Sequence, residues 1–197
     1  MAFIEKKESR VTTFGVIVGN RDVFPDHLAI EGRKEIMEVL EELGYDYVIL
    51  DENEGNHGVV ETYQEAKGCA ELFKARKAEI DGIVVCLPNF GDEKGIAHTL
   101  RMADLNVPVL IQASSDEIEG MGRKNRRDAF CGKISVTSVL YQYGIPFSLT
   151  SRHTCAIKSE LFKNDLKRFE KVCKIVNGLR GARFGQIGTR PNAFETV

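Results

Sequence analysis

Thr13-Phe-Gly-Val-Ile-Val-Gly-Asn-Arg-Asp-Val-Phe-Pro-Asp-His27 passes from an apolar run straight into a turn crowded with polar groups. Thr13–Val18 carries Phe, Val and Ile without alternation, the pattern of a strand covered on both faces in a parallel sheet. Gly19–Pro25 then holds an amide, a cation, an anion and an aromatic, where a plain connector would need only Gly or Asn. In an open α/β protein the loop after the first strand is where ligands are met. This segment is therefore the sequence's best pointer to function.

Four more apolar runs of the same kind follow, Tyr47–Leu50, Gly82–Cys86, Val107–Ile111 and Pro146–Leu149. Helical periodicity separates them. Ile36, Val39, Leu40 and Leu43 share one face, and Gly44 can end that helix in the left-handed conformation. Tyr63, Ala66, Ala70 and Phe73 mark a second helix. Ile96, Leu100 and Ala103 mark a third, with Asp92 as its N-cap. Asp128 to Gly144 reads as a fourth helix, although Ile134, Val136 and Val139 are β-branched and oppose it. Phe162, Leu166, Phe169, Cys173 and Val176 mark a long fifth.

The order βαβαβαβαβα, with right-handed crossovers, predicts a doubly wound α/β fold. Five strands favour the flavodoxin-like parallel order 2-1-3-4-5, with the switch point between the first and third strands. The loops Gly19–Pro25 and Leu87–Gly91 then flank one crevice. After Gly181 the chain reads as a sixth strand and another Arg-bearing loop. The expected division is an N-terminal domain over 1–181 and the first strand and loop of a second α/β domain over 182–197. The plainer alternative is a sixth edge strand with a frayed tail.

The chain has 197 residues, 43% of them hydrophobic, which suits one domain of ordinary size. A net charge of −2 gives no general attraction to nucleic acid or an anionic membrane. No apolar run approaches the ~20 residues that span a bilayer, and the charged N-terminus is unlike a secretory signal. Cys69, Cys86, Cys131, Cys155 and Cys173 are odd in number and lack a CxxC spacing. Buried reduced thiols, and with them a cytoplasmic location, are expected.

The rim residues each carry two readings. Arg21 can clamp a phosphate, a carboxylate or sugar hydroxyls, or can pair with Asp22 or Asp26 on the surface. Pro25 suits a first helical turn, which Phe24 can staple. Asn89 offers a donor and an acceptor, and Phe90 a flat face for a ring or an apolar sugar patch. Asp92 and Glu93 look like general acid/base carboxylates, but helix-capping anions explain Asp92 better. His153 follows the fifth strand and so stands on the ligand-facing rim, as a substrate contact or a solvated loop residue. Gln112, ending the fourth strand, is another rim candidate. The four histidines show no metal spacing, and His98 sits in mid-helix in a packing or surface role. The basic run Arg123–Arg127 can bind an anion, lie in solvent or meet a subunit. No GxGxxG follows the first strand and no GxxxxGK[ST] occurs, which disfavours dinucleotide and P-loop chemistry.

Taken together, Gly19-Asn-Arg-Asp-Val-Phe-Pro-Asp-His-Leu28, Leu87-Pro-Asn-Phe-Gly-Asp-Glu93, Asn125-Arg-Arg-Asp-Ala-Phe-Cys-Gly-Lys133 and Tyr143-Gly-Ile-Pro-Phe-Ser148 resemble the L-fucose isomerase-like proteins. The tail from Gly185 to Phe194 resembles the start of that family's second domain. The resemblance implies a metal-dependent aldose–ketose isomerase of three domains, assembled as a homo-oligomer, a trimer or hexamer. A divalent metal, usually manganese, binds two sugar oxygens while carboxylates move a proton through an enediol. Those ligands and carboxylates lie in the later domains, so the resemblance assigns no catalytic and no metal residue here. The N-terminal domain caps the monosaccharide pocket, typically a neighbouring subunit's. Its polar and aromatic contacts match Arg21 and Phe90, and Asn20, Asn89 and His153 complete the expected substrate-binding set. Neither nucleic acid nor membrane is an expected partner. An alternative reading is a free-standing α/β module that binds a small anion between Arg21 and Asn89 without catalysis. A third makes the chain an assembly element, with Arg123–Arg127 and the fourth helix as interface.

Overall fold

The computed structural model describes residues 10–118, 122–185, 187, 188, 192 and 193. Its strands are β1 (Thr13–Val18), β2 (Asp46–Val48), β3 (Gly82–Leu87), β4 (Val109–Ala113) and β5 (Ser148–Leu149). Between and after them run α1 (Asp26–Glu42), α2 (Tyr63–Ala75), α3 (Glu93–Ala103), α4 (Ala129–Gln142) and α5 (Glu160–Arg180). All strand pairs are parallel, in the order β2-β1-β3-β4-β5. The expected doubly wound topology and its switch point are thus present.

The unbroken apolar runs have the expected cause. Ile17 of β1 points into one core layer with Ala66, Phe73, Ile96 and Val136 of α2, α3 and α4. Phe14, Val16 and Val18 of the same strand point into the other, with Ile36 and Leu40 of α1 and Phe162, Leu166 and Phe169 of α5. A strand buried on both faces has no polar position to alternate with.

Strand ends differ from the apolar runs where backbone groups are otherwise engaged. β2 stops at Val48 because the Leu50 carbonyl accepts from Arg33 Nη2 at 2.7 Å instead of joining the ladder. β4 starts at Val109, after Pro108, which has no N–H to donate, and runs on through Gln112 to Ala113. β3 likewise gains Leu87, which pairs with Ala113. β5 keeps only Ser148 and Leu149, beyond Pro146.

The helices follow their apolar faces. α1 ends as expected at Gly44, which has φ +73° and donates to the Glu41 carbonyl at 3.0 Å. Pro25 is the N-cap of α1 and not its first helical residue. α4 forms despite its β-branched residues, because Val136 and Leu140 are buried against the sheet and packing outweighs propensity. Cys69, Cys86, Cys155 and Cys173 are buried free thiols, whereas Cys131 is exposed, contrary to the expectation of burial. Burial pushes the Cys69, Cys86, Cys155 and Cys173 thiols upward, so they are poor nucleophiles. Residues 182–185 have no regular structure. Much of the expected sixth strand and loop lies outside the described residues. Among those described, no helix is long and apolar enough to cross a membrane.

Candidate functional site

At the carboxyl end of β1 the chain is held from both sides. Gly19 N–H donates to the Cys86 carbonyl of β3 at 2.9 Å, and Asn20 N–H to the Val60 carbonyl at 3.1 Å. Val60 N–H returns a bond to the Val18 carbonyl at 2.8 Å. The segment before α2 therefore runs beside β1 and carries Glu61 up to Asn20. A capping box, Thr62 with Glu65, fixes it: Glu65 Oε2 accepts from Glu61 and Thr62 N–H at 2.9 and 2.7 Å.

Asn20 and Asn89 meet across the switch point, and both are fully buried. Asn89 Nδ2 donates to Asn20 Oδ1 at 2.6 Å, and Asn89 Oδ1 accepts from Gly91 N–H at 3.1 Å. Asn20 Nδ2 donates to Asp26 Oδ1 and Glu61 Oε2, each at 2.8 Å. Asn56 Nδ2 donates to the same Asp26 oxygen at 3.2 Å. The two amides thus tie the β1 loop, the β3 loop and the α2 entry into one frame. Burial, and then repulsion from Glu65 and Asp26, hold the Glu61 carboxyl above its ordinary range despite the amide donors.

Arg21 stands on this frame, half-exposed. Its guanidinium lies 4.6 Å from the centre of the Phe90 ring, and Nη1 is 3.2 Å from Glu93 Oε2. Phe24 packs against Phe90 with ring centres 5.6 Å apart. It braces the β3 loop, where the sequence suggested a staple for α1. Phe90 is a platform for Arg21, so that face of its ring is taken. The surface partner of Arg21 is Glu93, where the sequence offered Asp22 or Asp26. Asp92 caps α3 as expected, accepting from Gly95 N–H at 2.7 Å.

Two further residues hold Phe90 and were missed from sequence. Gly132 of α4 lies so close that a Cβ there would sit 1.7 Å from the Phe90 carbonyl oxygen. Arg127 Nη1 donates to the Pro88 carbonyl at 2.9 Å, while its N–H bonds Asp116 Oδ1 at 2.8 Å. The basic run is therefore not a uniform anion patch: Arg127 turns inward, and Arg126 pairs with Asp128 at 2.6 Å. A Gly inside a helical pattern signals a close approach, but its partner is invisible in sequence.

His153 belongs to a separate part of the rim. It is exposed, and its ring packs on Phe130 of α4 at 5.4 Å. The loop that carries it is anchored by Lys133, whose Nζ donates to Thr150 Oγ1 at 2.7 Å and to the His153 carbonyl at 3.0 Å. Burial lowers the Lys133 pKa from its ordinary value. Gln112 is fully buried inside β4 and donates to the Cys155 carbonyl at 2.8 Å, so it anchors the loop and does not face a ligand. His98 packs edge-on against Tyr63 at 5.7 Å.

Fold and crevice together define a doubly wound α/β domain with a polar, carboxylate-rich opening at its switch point. The chain belongs to the fucose/sulfoquinovose isomerase N-terminal domain family, whose model matches residues 15–180. No curated protein compared with the chain matches it. The family is one of isomerases.

Proposed function

We propose that this chain is the substrate-facing, pocket-capping and oligomer-forming N-terminal part of a metal-dependent isomerase that interconverts an aldose and a ketose. The family match over residues 15–180, which spans both rim loops, carries this reading. Arg21 presents guanidinium donors to sugar hydroxyls, and Glu93 accepts from them. Asn20, Asn89 and Phe90 hold Arg21 in place, and His153 faces the sugar from the far rim. Such a capping surface orients substrate and excludes water from a reacting centre built by other parts of the protein.

Among the described residues, no three or more His, Cys, Asp or Glu side chains are arranged to hold a metal ion. By the family resemblance the divalent metal, manganese, is held by other parts of the parent. The parent works in the cytoplasm, in keeping with the unpaired buried cysteines, and by the family resemblance as a homo-oligomer, a trimer or hexamer.

The test is steady-state kinetics of the full-length protein with and without Arg21→Ala. The expected loss in kcat/KM is at least about tenfold, or about 1.4 kcal/mol, with little change in melting temperature. Chelation should abolish turnover and manganese restore it. An unchanged kcat/KM would reduce Arg21 to a surface ion pair, and turnover surviving metal removal would overturn the metal-dependent reading.

A further inference from the structure

The family description names two sugars that differ in ring configuration and in the charge carried at C6. Fucose carries a methyl group at C6, and sulfoquinovose carries a sulfonate there. An arginine on the rim of a sugar pocket invites assignment to the sulfonate. The surroundings of Arg21 oppose that assignment.

Arg21 pairs with Glu93, and the loops around it carry further carboxylates: Asp26 and Glu61 on the Asn20 amide and Asp92 at the α3 N-terminus. Lys94 follows, exposed on α3. Glu93 already holds Arg21 Nη1 at 3.2 Å, with its own side chain only 22% exposed. Asp92 fills the α3 N-terminus that would otherwise welcome an anion. A sulfonate at Arg21 would have to displace Glu93, leaving a half-buried carboxylate unpaired, or lie beside it as a like charge. A neutral hydroxyl meets no such cost. It can accept from the remaining guanidinium N–H groups and donate to Glu93 with the ion pair intact.

We propose that Glu93 masks the Arg21 guanidinium, so that this face of the pocket takes a neutral sugar and rejects a sulfonated one. Discrimination then comes from a repulsive element placed beside an attractive one. The inference rests on the isomerase reading above.

The experiment measures kcat/KM of the full-length protein for fucose and for sulfoquinovose, in the wild type and in Glu93→Gln, Arg21→Gln and the double variant. Gln at 93 keeps the shape and a hydrogen-bonding group but removes the charge. The wild type should favour fucose by at least about tenfold, and Glu93→Gln should narrow that ratio by about five- to tenfold. The narrowing should vanish in the double variant, where no cation is left to unmask. A wild type that prefers sulfoquinovose, or a ratio unmoved by Glu93→Gln, overturns the masking while leaving the isomerase reading intact. Failure to turn over either sugar overturns the masking, and failure on a panel of other aldoses as well overturns the isomerase reading.

Discussion

The two ends of the sheet could hardly differ more. At the amino end lies a cavity of about 670 Å³, lined by Leu105, Val107, Pro108, Tyr143, Phe147 and Val176, among others. Within its lining Arg101 lies 5.3 Å from the centre of the Tyr143 ring and Arg180 bonds Asn106. At the carboxyl end, between β1 and β3, amides, carboxylates and a guanidinium converge on one frame. Volume and chemistry therefore point to opposite ends. The chemistry is the better guide, because parallel strands gather helix N-termini and polar loops at their carboxyl ends, and binding needs placed polar groups more than space.

The largest expected effect is at Gly132. A Cβ at 1.7 Å from the Phe90 carbonyl oxygen cannot be accommodated without moving backbone. Gly132→Ala should cost about 3 kcal/mol in denaturant unfolding. A variant as stable as the wild type would mean that α4 does not hold the β3 loop. Next comes Asn89→Ala, which strips Asn20 Oδ1 and Gly91 N–H of their buried partner. A loss of about 2 kcal/mol is expected, together with weaker sugar binding in the full-length protein. Loss of stability without a kinetic change would make the frame structural only.

The amino end should respond in the opposite sense. Arg101→Ala removes an exposed stacking contact, so stability should fall by about 0.5 kcal/mol and sugar kinetics should not move. Impaired kinetics from that variant would reverse the ranking of the two ends. The smallest effect concerns pH. Because the folded protein holds the Glu61 carboxyl above its ordinary range, the stability from this group is present at low pH and is lost as pH rises through the folded value. Glu61→Gln should flatten the stability profile in the window just above pH 4.5. A profile of unchanged slope there would show that burial does not perturb this group.

Helix and strand order were legible because a strand buried on both faces must be apolar throughout and a covering helix must repeat its apolar face. The crevice was legible for the same reason, since strand order alone puts Asn20 and Asn89 at one switch point. What those two amides do there was not legible. Sequence showed them as free donors and acceptors, and only packing revealed that they satisfy each other. The roles of Glu61, Arg127 and Gly132 were hidden because each acts on a residue far along the chain: 41 positions from Asn20 to Glu61, 39 from Pro88 to Arg127. Strand ends failed where Pro108 withheld a donor and Arg33 captured the Leu50 carbonyl.

The amino-acid sequence by itself determined the parallel sheet, its order and the loops that form the rim, since these follow from local periodicity and the handedness of crossovers. The tertiary structure decided which rim groups are engaged with one another. A buried polar side chain must find a partner, and that partner is fixed by position in space. Asn20 and Asn89 consequently face each other, Phe90 supports Arg21, and Glu93 pairs with its guanidinium.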